Sequence, residues 1–335
     1  MLSNPILVEV FRGGRVESRH AGRVSIRDAD GARVLALGDV AAAVFPRSAI
    51  KALQALPMVE SGAPEKFGLD AAEIALACAS HGGEPDHVAA ALSMLRKAGR
   101  DAAALECGAH WPMHERSARA LAAHGGTPGA LHNNCSGKHA GFVCLACATG
   151  HDPAGYIGVD HIVQRETRAA IEAMSGVKLA DDSFGIDGCS IPTWPVPLDA
   201  LALAFARFGT GHGLAPARAA AAKKIRESVA QNPFMVAGTG RFDTDVMKVT
   251  GLRAFTKTGA EGVFCASFPD RGLGVALKID DGGTRAAEAV MMALIAAHVP
   301  LSEAEKATLL PWREPRLVNW NGIEVGRVRM VEMNV

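Results

Sequence analysis

Apolar and polar positions change period several times along the chain, and the changes predict an order of elements. Residues 7–11 form a mostly apolar run broken only by Glu9. Residues 24–26 and 34–37 are short apolar segments flanking Asp28 to Gly31, a hairpin turn whose glycine supplies positive φ. Pro46 ends this strand region. Ile50, Leu53, Leu56 and Val59 then recur at helical spacing, which predicts a helix starting near Ser48. Residues 74–79 are apolar and read as a strand that ends at Ser80. Asp86 is the expected cap of a helix that runs to Lys97 and closes at Gly99. Further helices are expected over 139–148, 161–175, 215–230 and 284–297, strands over 263–268 and 273–279, and a last hairpin over 319–322. Strands at both chain ends with helices between them predict an α+β fold whose terminal strands join one antiparallel sheet. No repeat or low-complexity linker marks a boundary, so residues 1–335 read as a single compact unit.

Composition narrows the function classes. Hydrophobic residues at 49% and charged residues at 21% are enough for a full core without disulfides. The formal net charge is +0 and no basic block stands out, which argues against nucleic acid or an anionic membrane as partner. No run approaches the roughly 18 apolar residues of a membrane span. The first 20 residues lack the pattern of a signal peptide, so the cytoplasm is the expected compartment. The seven cysteines, an odd number, argue against a disulfide framework and leave thiols for the core or for metal.

Four segments carry candidate chemistry. Ser48 and Lys51 form an S-x-x-K pair one helical turn apart, where a lysine of lowered pKa can take the serine proton. The alternative is a capping serine beside a solvated lysine. Ser80 opens SHGGEPD at 80–86, whose glycines let backbone approach a ligand, or serve only as a turn. The segment HNNCSGKH at 132–139 is the richest in polar groups. Its Cys135 and the distant Cys189, close to Asp187, are able to share a metal, or are two core thiols. Lys257 lies in KTGAEG at 257–262, just before an expected strand. It either projects into a site or belongs to a surface turn. Cys144 and Cys147 are a C-x-x-C inside an apolar helical stretch and read as core. Neither Cys135 nor Cys189 is expected to pair with them. His110 and His114 are spaced i, i+4, but Pro112 between them predicts a loop.

Taken together, FPRSAIK at 45–51, CASHGGEPDH at 78–87, CGAHWP at 107–112, HNNCSGKHAG at 132–141, GIDGCSIPTW at 185–194 and KTGAEG at 257–262 resemble the successive signatures of the Rhizobium etli-type L-asparaginases. The resemblance runs in order from about residue 5 to about residue 330. It implies a fold similar to serine β-lactamases and glutaminases, a homodimer, and L-asparagine as the small-molecule substrate. It implies two serine–lysine tandems, Ser48 with Lys51 and Ser80 with Lys257, with Ser48 as the nucleophile. It implies zinc held by Cys135, Lys138 and Cys189, with Asp187 orienting water or substrate. Charge complementarity suggests that Arg47 and Asp187 hold the substrate carboxylate and amine. The rival readings are attack by a zinc-bound water, the same serine–lysine chemistry on glutamine or a β-lactam, and a non-enzymatic zinc-binding protein.

Overall fold

The structure is a computed structural model and describes residues 4–331. Its contacts gather into two compact units, each discontinuous in sequence. The first comprises the described parts of Met1–Ala49, Val196–Thr210 and Asp245–Val335; the second comprises Ile50–Pro195 and Gly211–Thr244.

The first unit is built on an eight-stranded antiparallel sheet: β1 (Ile6–Arg12), β2 (Arg15–Asp28), β3 (Arg33–Leu37), β4 (Phe255–Thr258), β5 (Val263–Phe268), β6 (Leu273–Ile279), β7 (Arg316–Val318) and β8 (Glu324–Met330). The order is β7-β8-β1-β2-β6-β5-β4, with β3 paired to β2. The two ends of the chain meet in this sheet, where Val10 faces Val328. The hairpin expected at Asp28 to Gly31 joins β2 to β3 with Ile26 opposite Leu35, and Gly31 takes φ +93°. The last hairpin also forms, with Val318 paired to Glu324. β2 is longer than the apolar run at 24–26 suggests, because its first half alternates exposed and partly covered positions and lacks an apolar face.

Leu198–Thr210 is a helix packed on β2, β5 and β6. Its close approach requires Gly274, where a Cβ would stand 2.7 Å from the Phe205 carbonyl carbon. At the helix start Asp199 accepts from Ser25 at 2.7 Å and pairs with Arg27 and Arg33. Thr284–His298 is a second helix, on β1, β5, β6 and β8.

The second unit is helical. Lys51–Glu60 is buried along nearly its whole length, against Ser136–Ala148, Ile162–Ser175 and Pro216–Gln231. Residues 74–79 do not form the expected strand. A helix spans Ala71–Leu76, and Ser80 lies in the loop beyond it. The cause is local: Asp70 caps Glu73 N at 2.9 Å while Glu73 returns the bond to Asp70 N at 2.9 Å, a reciprocal pair that commits the apolar run to a helix. The helix expected from Asp86 starts at Pro85 with Glu84 as its cap, since a proline is suited to the first helical position. Among the described residues no helix is long and apolar enough to cross a membrane.

Candidate active site

In the second unit the chain gathers six of the nine candidate residues. Lys51 opens the buried Lys51–Glu60 helix and is only 1% exposed. Its Nζ donates to the Ala79 carbonyl at 2.7 Å and lies 3.0 Å from Cys135 Sγ. Cys135 is the N-cap of the Ser136–Ala148 helix and Lys138 stands three residues on, so the two share a face. Lys138, also buried, reaches Cys189 Sγ at 3.0 Å.

Cys189 sits at the tip of a tight hairpin in which Gly185 faces Thr193 and Ile186 faces Pro192. Asp187 closes that tip. Its N–H donates to Ile191 O at 2.8 Å and its carbonyl accepts from Ser190 N at 2.8 Å, with Ser190 at φ +75°. The Asp187 carboxylate lies 3.9 Å from the Cys189 sulfur. A serine held in left-handed backbone costs energy that the surrounding contacts must supply, a pattern common at ligand sites.

Electrostatics divides the two thiols. Cys135 is pushed well below its usual range, first by a hydrogen bond from Cys189 and then, against burial, by the charges of Lys51 and Lys138. Cys189, as the donor of that bond and a buried group, is pushed up. Burial alone would lower the Lys138 amine, but its interactions with Cys189 and Cys135 outweigh it and raise the pKa. The pair therefore favours one thiolate, on Cys135, beside the buried Lys138 ammonium.

This donor set suits a soft metal. It offers two sulfurs already within hydrogen-bonding range and one nitrogen, all buried. Among the described residues no group of three or more His, Cys, Asp and Glu stands ready to hold a metal. Lys138 Nζ, 3.0 Å from Cys189 Sγ, is the nitrogen nearest this sulfur pair that the resemblance assigns to a metal. None of the seven cysteines forms a disulfide; Cys144 is buried in the core as its apolar surroundings suggest, whereas Cys147 is partly exposed.

Ser80 lies on a loop fixed from several sides. Its N–H donates to Val236 O at 2.8 Å, and its hydroxyl accepts from Asn134 Nδ2 at 2.9 Å. Next to it, Gly83 N donates to His81 Nδ1, so His81 Nε2–H donates to Ser136 Oγ at 3.0 Å. His81 stacks on His87 and His87 on Phe234, each with ring centroids 4.7 Å apart. Burial pushes both imidazoles down, so this stack is neutral.

The other three candidates belong to the first unit. Ser48 lies in a 3-10 turn, Arg47–Ile50, and the α-helix begins only at Lys51. Arg47 holds φ +51°, a left-handed conformation that is strained for a non-glycine residue. Lys257 is not in a turn before a strand. It lies within β4, is 0% exposed, and donates to Thr258 O at 2.8 Å, because the apolar Phe255 and the paired β5 draw it into the sheet. Gly259, just after β4, brings that strand end against the serine turn; a Cβ there would stand 3.1 Å from Ala49 N.

Three groups of the site do not stand out in the sequence: Asn133, Asn134 and Tyr156. Asn133 clips Cys107 O and Gly108 O to Cys135 N, at 2.9, 3.1 and 2.8 Å. Tyr156, the one tyrosine of the chain, bonds His139 Nδ1 at 2.6 Å. Both asparagines lie inside the polar 132–139 segment, and that polarity is the one signal pointing to them. Tyr156 carries no such signal.

The family model for L-asparaginase II matches residues 8–330, so it spans elements of both units. That match defines the class, an amidohydrolase whose substrate is a small-molecule amide. The chain belongs to the L-asparaginase II family, and its activity is the hydrolysis of asparagine. A search of curated proteins returned no match.

Proposed function

We propose that the protein is an L-asparaginase of the Rhizobium etli type, converting L-asparagine to L-aspartate and ammonia by serine–lysine catalysis with a bound zinc. Residues 1–335 are taken to act as one asparaginase domain, in the cytoplasm and as a homodimer. The observation that carries the reading is the burial of three lysines: Lys51, Lys138 and Lys257 are 1%, 2% and 0% exposed. Lysine is almost never fully buried without a partner or a task.

In the proposed reaction Ser48 Oγ attacks the side-chain amide carbon of asparagine while its proton passes to Lys51. A neutral amine has two N–H donors and one lone pair. The donors are directed to Ala79 O and Cys135 Sγ, and the lone pair is what takes the Ser48 proton. The tetrahedral adduct collapses, the C–N bond breaks, and the nitrogen leaves as ammonia with that proton. Water then hydrolyses the acyl-enzyme, Lys51 again moving the proton, to release aspartate. Ser80 and Lys257 serve as the second tandem, in proton transfer or orientation. Arg47 and Asp187 hold the substrate carboxylate and amine. Zinc, held by Cys135, Lys138 and Cys189, would supply a fixed positive charge for positioning; two thiolates make it a weak Lewis acid.

The test is ammonia release from L-asparagine by wild type and Ser48→Ala, each with and without a zinc chelator. The proposal expects no turnover from Ser48→Ala and residual turnover from chelated wild type. Turnover by the mutant, abolished by chelation, would instead assign the chemistry to the metal.

A further inference from the structure

Asn134 is held through both backbone polar groups and through its side-chain N–H. Its N–H donates to His110 Nε2 at 2.9 Å, which makes that nitrogen an acceptor and leaves His110 Nδ1–H to donate to Trp111 O at 2.7 Å. Its carbonyl accepts from His81 N at 3.1 Å. Its side-chain Nδ2 donates to Ser80 Oγ at 2.9 Å, and its Oδ1 lies 3.2 Å from His110 Nε2 and 3.5 Å from Cys135 Sγ. The backbone is thus clamped on both sides while the side-chain N–H meets the second serine. With the backbone fixed on both sides, only the two side-chain torsions are left to set, and the bond to Ser80 Oγ gives the N–H a defined direction.

We propose that Asn134 is a positioning residue for asparagine hydrolysis, orienting the Ser80 hydroxyl by donating to its oxygen. A hydroxyl that accepts from Asn134 has to send its own proton elsewhere. The amide therefore sets which way Ser80 donates as well as where its oxygen stands. The inference rests on the reading of Ser80 as part of the catalytic machinery. It adds a residue that the serine–lysine pairs do not include, and it ties the second serine to the loop that carries Cys135.

The experiment compares Asn134→Ala, Asn134→Asp and Ser80→Ala with wild type for kcat and KM on L-asparagine, zinc content and melting temperature. Asn134→Asp keeps the shape of the side chain but replaces the N–H donor with an acceptor, which turns the Ser80 proton toward position 134. The expected result is a fall in kcat of about tenfold in both Asn134 variants, with KM, zinc content and melting temperature near wild type. Asn134→Asp at wild-type kcat, or zinc loss in step with kcat, would overturn the inference and leave the role of Ser80 intact. Wild-type turnover in Ser80→Ala would remove both readings together.

Discussion

Gly137 links the fold of the helical unit to its chemistry, and Gly137→Ala is the perturbation with the most direct structural consequence. Gly137 sits between Ser136 and Lys138 in the first turn of the Ser136–Ala148 helix. A Cβ there would fall well inside contact distance of the Leu76 carbonyl oxygen and Cγ, and 3.0 Å from the Leu76 carbonyl carbon. Two of these atoms are backbone, part of the capped Ala71–Leu76 helix and unable to rotate away. The clash is relieved only by moving one helix off the other. Overpacking of this kind costs about 1–3 kcal/mol. The same movement carries Cys135 and Lys138 with it, and a displacement near 1 Å at a reacting centre costs about a hundredfold in rate. Urea unfolding monitored by circular dichroism, together with ammonia release, reads both effects. Gly129→Ala is the control. Gly129 lies in the preceding loop with extended backbone, and a Cβ added there would meet nothing within 4 Å, so its replacement should change stability by less than about 0.5 kcal/mol. Wild-type stability and turnover in Gly137→Ala would refute the claim that this contact positions the helix start.

Three other predictions concern charge. Burial opposes ionisation of Asp199, but hydrogen bonds from Arg33 and Ser25 and the charge of Arg27 hold its carboxyl below the usual range. Its contribution to stability is therefore full at neutral pH, above the unfolded value of about 3.9, and is lost as pH falls through the lower folded value. Asp199→Asn should be less stable than wild type at pH 7, and the gap should close in acid; a gap that is constant with pH would contradict the assignment. Lys138→Met should lower zinc affinity by more than the roughly tenfold to hundredfold of an outer-shell change, measured by competition with a chromogenic chelator. Unchanged affinity would remove Lys138 from the donor set. Because the Lys138 pKa is raised by its interactions with Cys189 and Cys135, it has to give up a proton to bind metal, and calorimetry in buffers of different ionisation enthalpy should detect that release.

Much of this protein is legible in its pattern of residues. Periodicity at Ile50, Leu53, Leu56 and Val59 marks a helix, and all four are buried. The Asp28 to Gly31 and Asn319 to Gly322 turns mark hairpins, because a glycine at positive φ is a local requirement that sequence alone expresses. The α+β class follows from strands at the two chain ends, which do pair as β1 and β8. The apolar run at 74–79 is ambiguous by itself, because a run of that length suits either element; the Asp70–Glu73 cap just before it decides for the helix. What tertiary structure alone decided is proximity and burial. Nothing in the separation of Lys51 from Cys135, or of Lys138 from Cys189, says that each amine lies 3.0 Å from its thiol. Nor does local pattern, which favours a surface turn for Lys257, say that this lysine is enclosed in a sheet. Periodicity reports which face of an element is apolar. Only the packing of helices distant in sequence decides which polar groups are enclosed together, and enclosure is what shifts their pKa values and equips them for chemistry.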